Sequence, residues 1–233
     1  MSSLHIRSLG DAAASIWALN ASQVRDLTAS LSPTPGGGSI SVFTATLGLA
    51  LVHKGASISL KRVGDDVGGR EALDRLCDNI SSALVALSSL ADYDSQAFQE
   101  YVQARSLPRS TEEEKLLRSG ALEVAILRAT RVPLASAKSL FEALEHVKTA
   151  VNLADRHLLS DIFGGAILMH AASKAVLLNV DANVLLLADR KMRVSLETER
   201  AELEALLADR NEAIALAYQA RIADSKEFAG ITD

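Results

Sequence analysis

The chain has 233 residues, about half of them apolar, a net charge of -5 and a single cysteine, Cys77. That length and apolar share allow a sizeable core in one domain, and one thiol excludes an intramolecular disulfide. No basic block or stripe is present to meet a phosphate backbone, which argues against a nucleic-acid partner, and the first twenty residues carry no basic-then-apolar leader, so a cytoplasmic location is expected. Alanine and leucine are abundant and only 4 prolines interrupt the chain, a composition that favours helix.

In chain order, Met1 to Gly10 reads as a loose start. Ile16, Leu19, Val24, Leu27 and Leu31 then predict a helix over 11–31, in imperfect phase. Ser32-Pro33-Thr34-Pro35-Gly36-Gly37-Gly38-Ser39 cannot continue it. A long apolar helix over 40–62 follows, turning basic at Lys61-Arg62. Its apolar run from Ile40 to Val52, dotted with Ser41, Thr44 and Thr46, is too short for a membrane span and reads as a buried helix. After a turn at Gly64 to Gly69, Leu73, Cys77, Ile80, Leu84, Leu87, Ala91, Phe98 and Val102 mark the clearest helix, closed by Leu107-Pro108. Ser110 or Thr111 caps the next, with Glu112, Glu113 and Glu114 at its positive end. That helix is expected to stop near Val132-Pro133, because a residue before proline disfavours helix. Further helices are expected over 134–153, from Ser160-Asp161 through Asn183, and over 193–221. No segment alternates with period two and no linker divides the chain. The expectation is one all-α domain over 1–233, with 193–233 as a C-terminal helix and tail.

Few features carry chemistry. Three glycines before a helix let backbone amides approach a ligand, and the helix start adds partial positive charge. The plainer reading is a turn with Ser39 as N-cap. Asp94 falls in the apolar stripe between Ala91 and Phe98, where a carboxylate must be paired, hydrogen-bonded or functional. It is either a general base or holder of a substrate amide, or else a structural ion pair or the wet end of the helix. Lys61 and Arg62 suit a helix C-terminus, and Asp161 after Ser160 suits a helix start. Lys61 cannot reach the glycine loop of its own helix; it is left to meet Asp94 from a neighbouring helix or a loop of another subunit. Asn179 and Asn183 lie one helical turn apart in an apolar stretch and need partners. Asp161 and Asn179 stand ~27 Å apart along one helix and cannot serve one small site within a subunit. His5, His53, His146, His157 and His170 show no metal-ligand spacing; His170 reads as a satisfied core histidine and Cys77 as inert.

Together these residues resemble the C-terminal domain family of formiminotransferase-cyclodeaminases, which includes stand-alone methenyltetrahydrofolate cyclohydrolases. The resemblance runs from about Leu27 to Ile222. Its marks are Pro33 to Ser39, Leu47-Gly48, Asp94 with Ala97-Phe98, Leu107-Pro108, Thr111 to Lys115 with Arg118, Val132-Pro133-Leu134, Ser160-Asp161, Leu178-Asn179-Val180 and Asn183. It implies an all-helical homodimer of long antiparallel helices acting on a one-carbon-loaded tetrahydrofolate, with no metal or redox cofactor and no membrane partner. The reaction is expected to be hydrolysis of methenyltetrahydrofolate, favoured by the lack of a formiminotransferase domain, or cyclodeamination of formiminotetrahydrofolate; a diverged folate-binding dimer is the non-enzymatic alternative. Asp94, Lys61 and Asp161 are then the catalytic candidates. Pro35, Gly36, Gly37, Gly38, Ser39, Arg62, Asn179 and Asn183 are the substrate-binding ones. The chain departs from the family around Lys61-Arg62, where glycine and lysine are usual, and at Asp155 and His157, where asparagines are.

Overall fold

The computed structural model describes residues 15–228, so the reading of 1–10 as a loose start lies outside the described residues. The described residues form six α-helices: α1 (Ala21–Thr28), α2 (Gly37–Arg62), α3 (Val67–Ser106), α4 (Glu112–Leu153), α5 (Leu159–Val184) and α6 (Arg190–Phe228). Single 3-10 turns occupy Ile16–Ala18 and Arg156–Leu158, and no strand occurs among the described residues. The all-helical expectation holds.

Local chemistry sets most boundaries. The expected 11–31 helix is instead a 3-10 turn and the short α1. Asn20 and Gln23 form a reciprocal capping box that starts a new helix there. Thr111 and Glu114 form a second such box at α4. Asp66 accepts from the Gly69 N–H and opens α3 inside the expected turn. Ser160 does not cap α5; the helix begins at Leu159.

The largest correction is at Pro133. The expected break is absent, and α4 runs unbroken through it for 42 residues. Proline removes one N–H and leaves the carbonyl four residues back without its helical donor. That carbonyl belongs to Ala129, and Asn183 Nδ2 of α5 donates to it at 2.8 Å. A side chain 54 positions away thus supplies the bond that proline took.

Helices α2 and α5 form the centre and run antiparallel. Gly37 lies beside Asn179 at one end, and Lys54 bonds Asp161 at the other. Between them Gly48 faces Gly165 so closely that a Cβ on either would strike the other's carbonyl. Helix α3 packs antiparallel to α2, and α4 antiparallel to α3 and α5, as the Ser39–Asp94, Arg128–Glu100 and Asn183–Ala129 bonds show. Helix α6 closes the bundle: Arg221 donates to the carbonyls of Val151 and Ala154 at the end of α4. One continuous core, including Leu49, Val52, Ile80, Leu87, Leu140, Leu144, Ile162, Met169 and Leu177, joins all of these helices.

The apolar run 40–52 is part of a longer element than expected. By length and composition alone, α2 and the stretch 156–184 are each long and apolar enough to cross a bilayer. About half of each such window is buried inside the bundle, which accounts for its apolar character.

Candidate functional site

The glycine loop does not wait for an external anion: Asp94 fills it. The N-cap of α2 is Gly36 rather than Ser39, and it brings no side-chain cap. The exposed N–H groups of the first turn therefore need an acceptor from elsewhere. Asp94, reaching across from α3, accepts from the Ser39 hydroxyl at 2.9 Å and from the Ser39 backbone N–H. Its carboxylate lies so close over Gly38 that a Cβ there would sit under 3.0 Å from both carboxyl oxygens. Gly38 thus makes room for the acid, which suits the positive helix start.

The apolar stripe on α3 is buried through Leu87 and Ala91, then opens: Asp94 is half-buried and Phe98 is 39 % exposed. At that opening lies a cavity of about 250 Å³ walled by Pro33, Thr34 and Gly36 to Gly38, by Asp94, Ser95 and Phe98, by Ala129, and by Asn179, Ala182 and Asn183. Four segments far apart in sequence meet there.

Burial pushes the Asp94 carboxyl above its usual range, and the two Ser39 bonds pull part of that shift back. No ionised neighbour contributes. The acid is therefore a better proton acceptor than a solvated aspartate. Each asparagine has its amide nitrogen committed: Asn183 Nδ2 to Ala129 O, and Asn179 Nδ2 to Ala175 O at 3.1 Å. Both partners are carbonyls, so the assignment of nitrogen and oxygen is forced, and each Oδ1 remains as an acceptor.

Of the residues singled out from sequence, the structure brings together Gly36, Gly37, Gly38, Ser39, Asp94, Asn179 and Asn183. Pro35 follows a cis Thr34–Pro35 bond and does not line the cavity. Lys61, Arg62 and Asp161 lie at the opposite end of the bundle. Lys61 is exposed, Arg62 pairs with Asp155 at 3.1 Å, and Asp161 pairs with Lys54 at 3.0 Å. Helix α2 is ~39 Å long, so Lys61 does not meet Asp94 within one chain. Asp155, one of the departures, also accepts from the His157 N–H, and that bond foremost, then Arg62, holds its carboxyl below the usual range. His170 is not the satisfied core histidine expected: its buried Nδ1 has no hydrogen-bond partner. Sequence reasoning missed Ser95 and Ala129. The signal for Ala129 was Pro133, whose freed carbonyl lies four residues back.

No group of three or more metal-ligating side chains occurs among the described residues. The site is therefore a carboxylate and two amide acceptors at a glycine-rich helix start, the polar mouth of a bundle of long antiparallel helices. Over residues 20–202 the chain matches the family model described as formiminotransferase-cyclodeaminase, and it belongs to that family. It is 29% identical over 187 residues to a methenyltetrahydrofolate cyclohydrolase of Methylorubrum extorquens, covering 79% of this chain and 86% of that one. It is 38% identical over 137 residues to a formimidoyltransferase-cyclodeaminase of Sus scrofa, covering 54% of this chain but only 24% of that longer protein. The fold resembles the crystal structure of a formiminotetrahydrofolate cyclodeaminase from Thermotoga maritima, with TM-score 0.77 at 23% identity, over 88% of this chain and 98% of that one.

Proposed function

We propose that this chain is a methenyltetrahydrofolate cyclohydrolase, with Asp94 as its general base. The observation that carries the reading is the Asp94 carboxylate, anchored on Ser39 at the mouth of the cavity with its pKa raised by burial. The match to a cyclohydrolase over 79% of this chain and 86% of that one supports it. Water attacks the cationic amidinium carbon and Asp94 accepts one water proton. The remaining hydroxyl becomes the formyl carbonyl as the bond from that carbon to N5 breaks, its proton passes to N5, the formyl group stays on N10, and the proton on Asp94 is released to solvent. The carboxylate also offsets the positive charge of the bound cation. No oxidation state changes and the carbon is already electrophilic, so the reaction asks for neither a redox cofactor nor a metal. The acceptors on Asn179 and Asn183 suit the N–H groups of the amino-pyrimidine edge.

The higher local identity to formimidoyltransferase-cyclodeaminases favours cyclodeamination as the second reading. There N10 attacks the formimino carbon and a cation such as Lys61 protonates departing ammonia.

A second copy of the chain fits either reading. The cavity of about 250 Å³ suits the bicyclic end of a folate and not the whole molecule. Leu47 on α2 and Leu168 and Leu178 on α5 are 49%, 37% and 64% exposed. Pairing this face across a twofold axis perpendicular to the helices buries those leucines and sets the Lys54–Asp161 end of one chain against the cavity of the other. Lys61, Arg62 and Asp161 then join Asp94 only in the dimer.

The experiment is absorbance decay of methenyltetrahydrofolate, corrected for buffer hydrolysis, with the wild-type chain and with Asp94→Asn. Enzyme-dependent decay lost in Asp94→Asn supports the reading. Ammonia release from formiminotetrahydrofolate without that decay moves it to the cyclodeaminase. Mixing inactive Asp94→Asn and Asp161→Asn chains tests the shared site, because hybrid dimers regain one intact site.

A further inference from the structure

The serines of α3 divide into two kinds. Ser81, Ser82, Ser88 and Ser89 each donate to the carbonyl four residues back in their own helix, and Ser106 to the carbonyl three back. Ser95 does not. Its Oγ lies 2.8 Å from Ser39 Oγ on α2, and Ser39 Oγ lies 2.9 Å from Asp94 Oδ2. Ser39 is fully buried, and Ser95 lines the cavity.

The direction of this chain follows from donor counting. A serine hydroxyl has one proton, and an ionised carboxylate can only accept. Ser39 must spend its proton on Asp94, so Ser95 must donate to Ser39. A hydroxyl that accepts one hydrogen bond donates the next more strongly.

From this geometry we propose that Ser95 is a positioning residue, acting through Ser39 to anchor Oδ2 of Asp94 and leave Oδ1 for water. The proposal rests on the reading of Asp94 as the base. Ser95 touches neither the reacting carbon nor the proton in flight; it sets the rotamer and charge state of the group that does. Within one chain, no other charged side chain lines the cavity among the described residues. Ser39 and Gly38 face Asp94 from α2, Ala129 lies across the cavity on α4, and Asn179 and Asn183 stand on α5. On α3 itself, Asp92 is turned away to accept from Ser15 and from the Ile16 N–H.

The test is the pH profile of kcat for methenyltetrahydrofolate hydrolysis in Ser95→Ala, Ser95→Thr and the control Ser89→Ala, whose hydroxyl only bonds Val85 O. A bond that favours the ionised form lowers a pKa, so its loss raises it. Ser95→Ala is expected to move the acid limb up by roughly half to one pH unit, the size of one hydrogen bond. Turnover below the limb then falls roughly three- to tenfold with KM unchanged. Ser95→Thr keeps the hydroxyl and restores the wild-type limb, and Ser89→Ala leaves it in place. In a Ser39→Ala background, Ser95→Ala adds no further shift, because the link is already cut.

The same order is expected in a direct NMR titration of the Asp94 side-chain carboxyl, which needs no turnover. That readout separates two failures: a chain without cyclohydrolase activity whose Asp94 still titrates higher in Ser95→Ala overturns the activity and keeps the relay. A profile and titration unmoved by Ser95→Ala, or a full shift persisting without Ser39, overturns the relay.

Discussion

The two ends of α2 carry polar groups on the same apolar rod and handle them in opposite ways. At the Gly37 end one carboxylate, two hydroxyls and two amides are folded inward around a small cavity. At the Arg62 end Lys54–Asp161 and Arg62–Asp155 lie in contact with water. Exposed pairs cost little to form and contribute little, because water competes for both partners. An enclosed acid without a cation costs stability and acquires an altered pKa. In the proposed reading the first end supplies the base, and the second joins it only across the proposed dimer.

The sharpest break in this contrast is Asp94→Asn. It is expected to lower turnover by ~10²-fold or more, read in the methenyltetrahydrofolate assay. The same change is expected to raise the melting temperature at neutral pH. Burial lifts the folded-state pKa of Asp94, so the protonated form favours folding. That contribution is fully present below the ordinary aspartate value of ~3.9 and is lost as pH rises through the folded-state pKa. The variant therefore melts above wild type at neutral pH, and the gap closes in acid. Equal melting at both pH values contradicts the assigned burial cost of the ionised carboxylate.

Gly38→Ala tests the room the acid needs. A methyl group there must displace the carboxylate, at a cost of about 1–3 kcal/mol in denaturant unfolding and a clear loss of turnover. Asn183→Leu is expected to cost about 1–3 kcal/mol by leaving the Ala129 carbonyl without a donor. Pro133→Ala returns a helical N–H to that carbonyl, so in the Asn183→Leu background it is expected to recover much of the loss. Failure of that rescue breaks the link between proline and asparagine.

The smallest expected effects lie at the other end. Lys54→Ala and Arg62→Ala each cost at most about 1 kcal/mol in thermal or denaturant unfolding. If either lowers turnover sharply while stability holds, the two ends meet across subunits, as the proposed dimer requires.

Much of this was legible before any fold. Three- and four-residue spacing predicts α3, the hydroxyl before the glutamates predicts the cap of α4, and Asp94 stands out as an acid in an apolar stripe. Pro133 was misread because the rule about proline is local, whereas its remedy, Asn183, comes from another helix. Ser39 was misread as a cap for the same reason: the acceptor that serves this helix start lies on α3.

By itself the sequence determined the all-helical class, the helix ends away from Pro133 and the first 31 residues, and the polar residues too costly to bury idly, because propensity, capping and periodicity act within a few residues. Only the tertiary structure decided which of those polar residues share a site. Gly38 could receive Asp94, Asn183 could replace the bond Pro133 lacks, and Lys61 could be placed far from both, because each outcome depends on how antiparallel helices register against one another over distances that no local rule reaches.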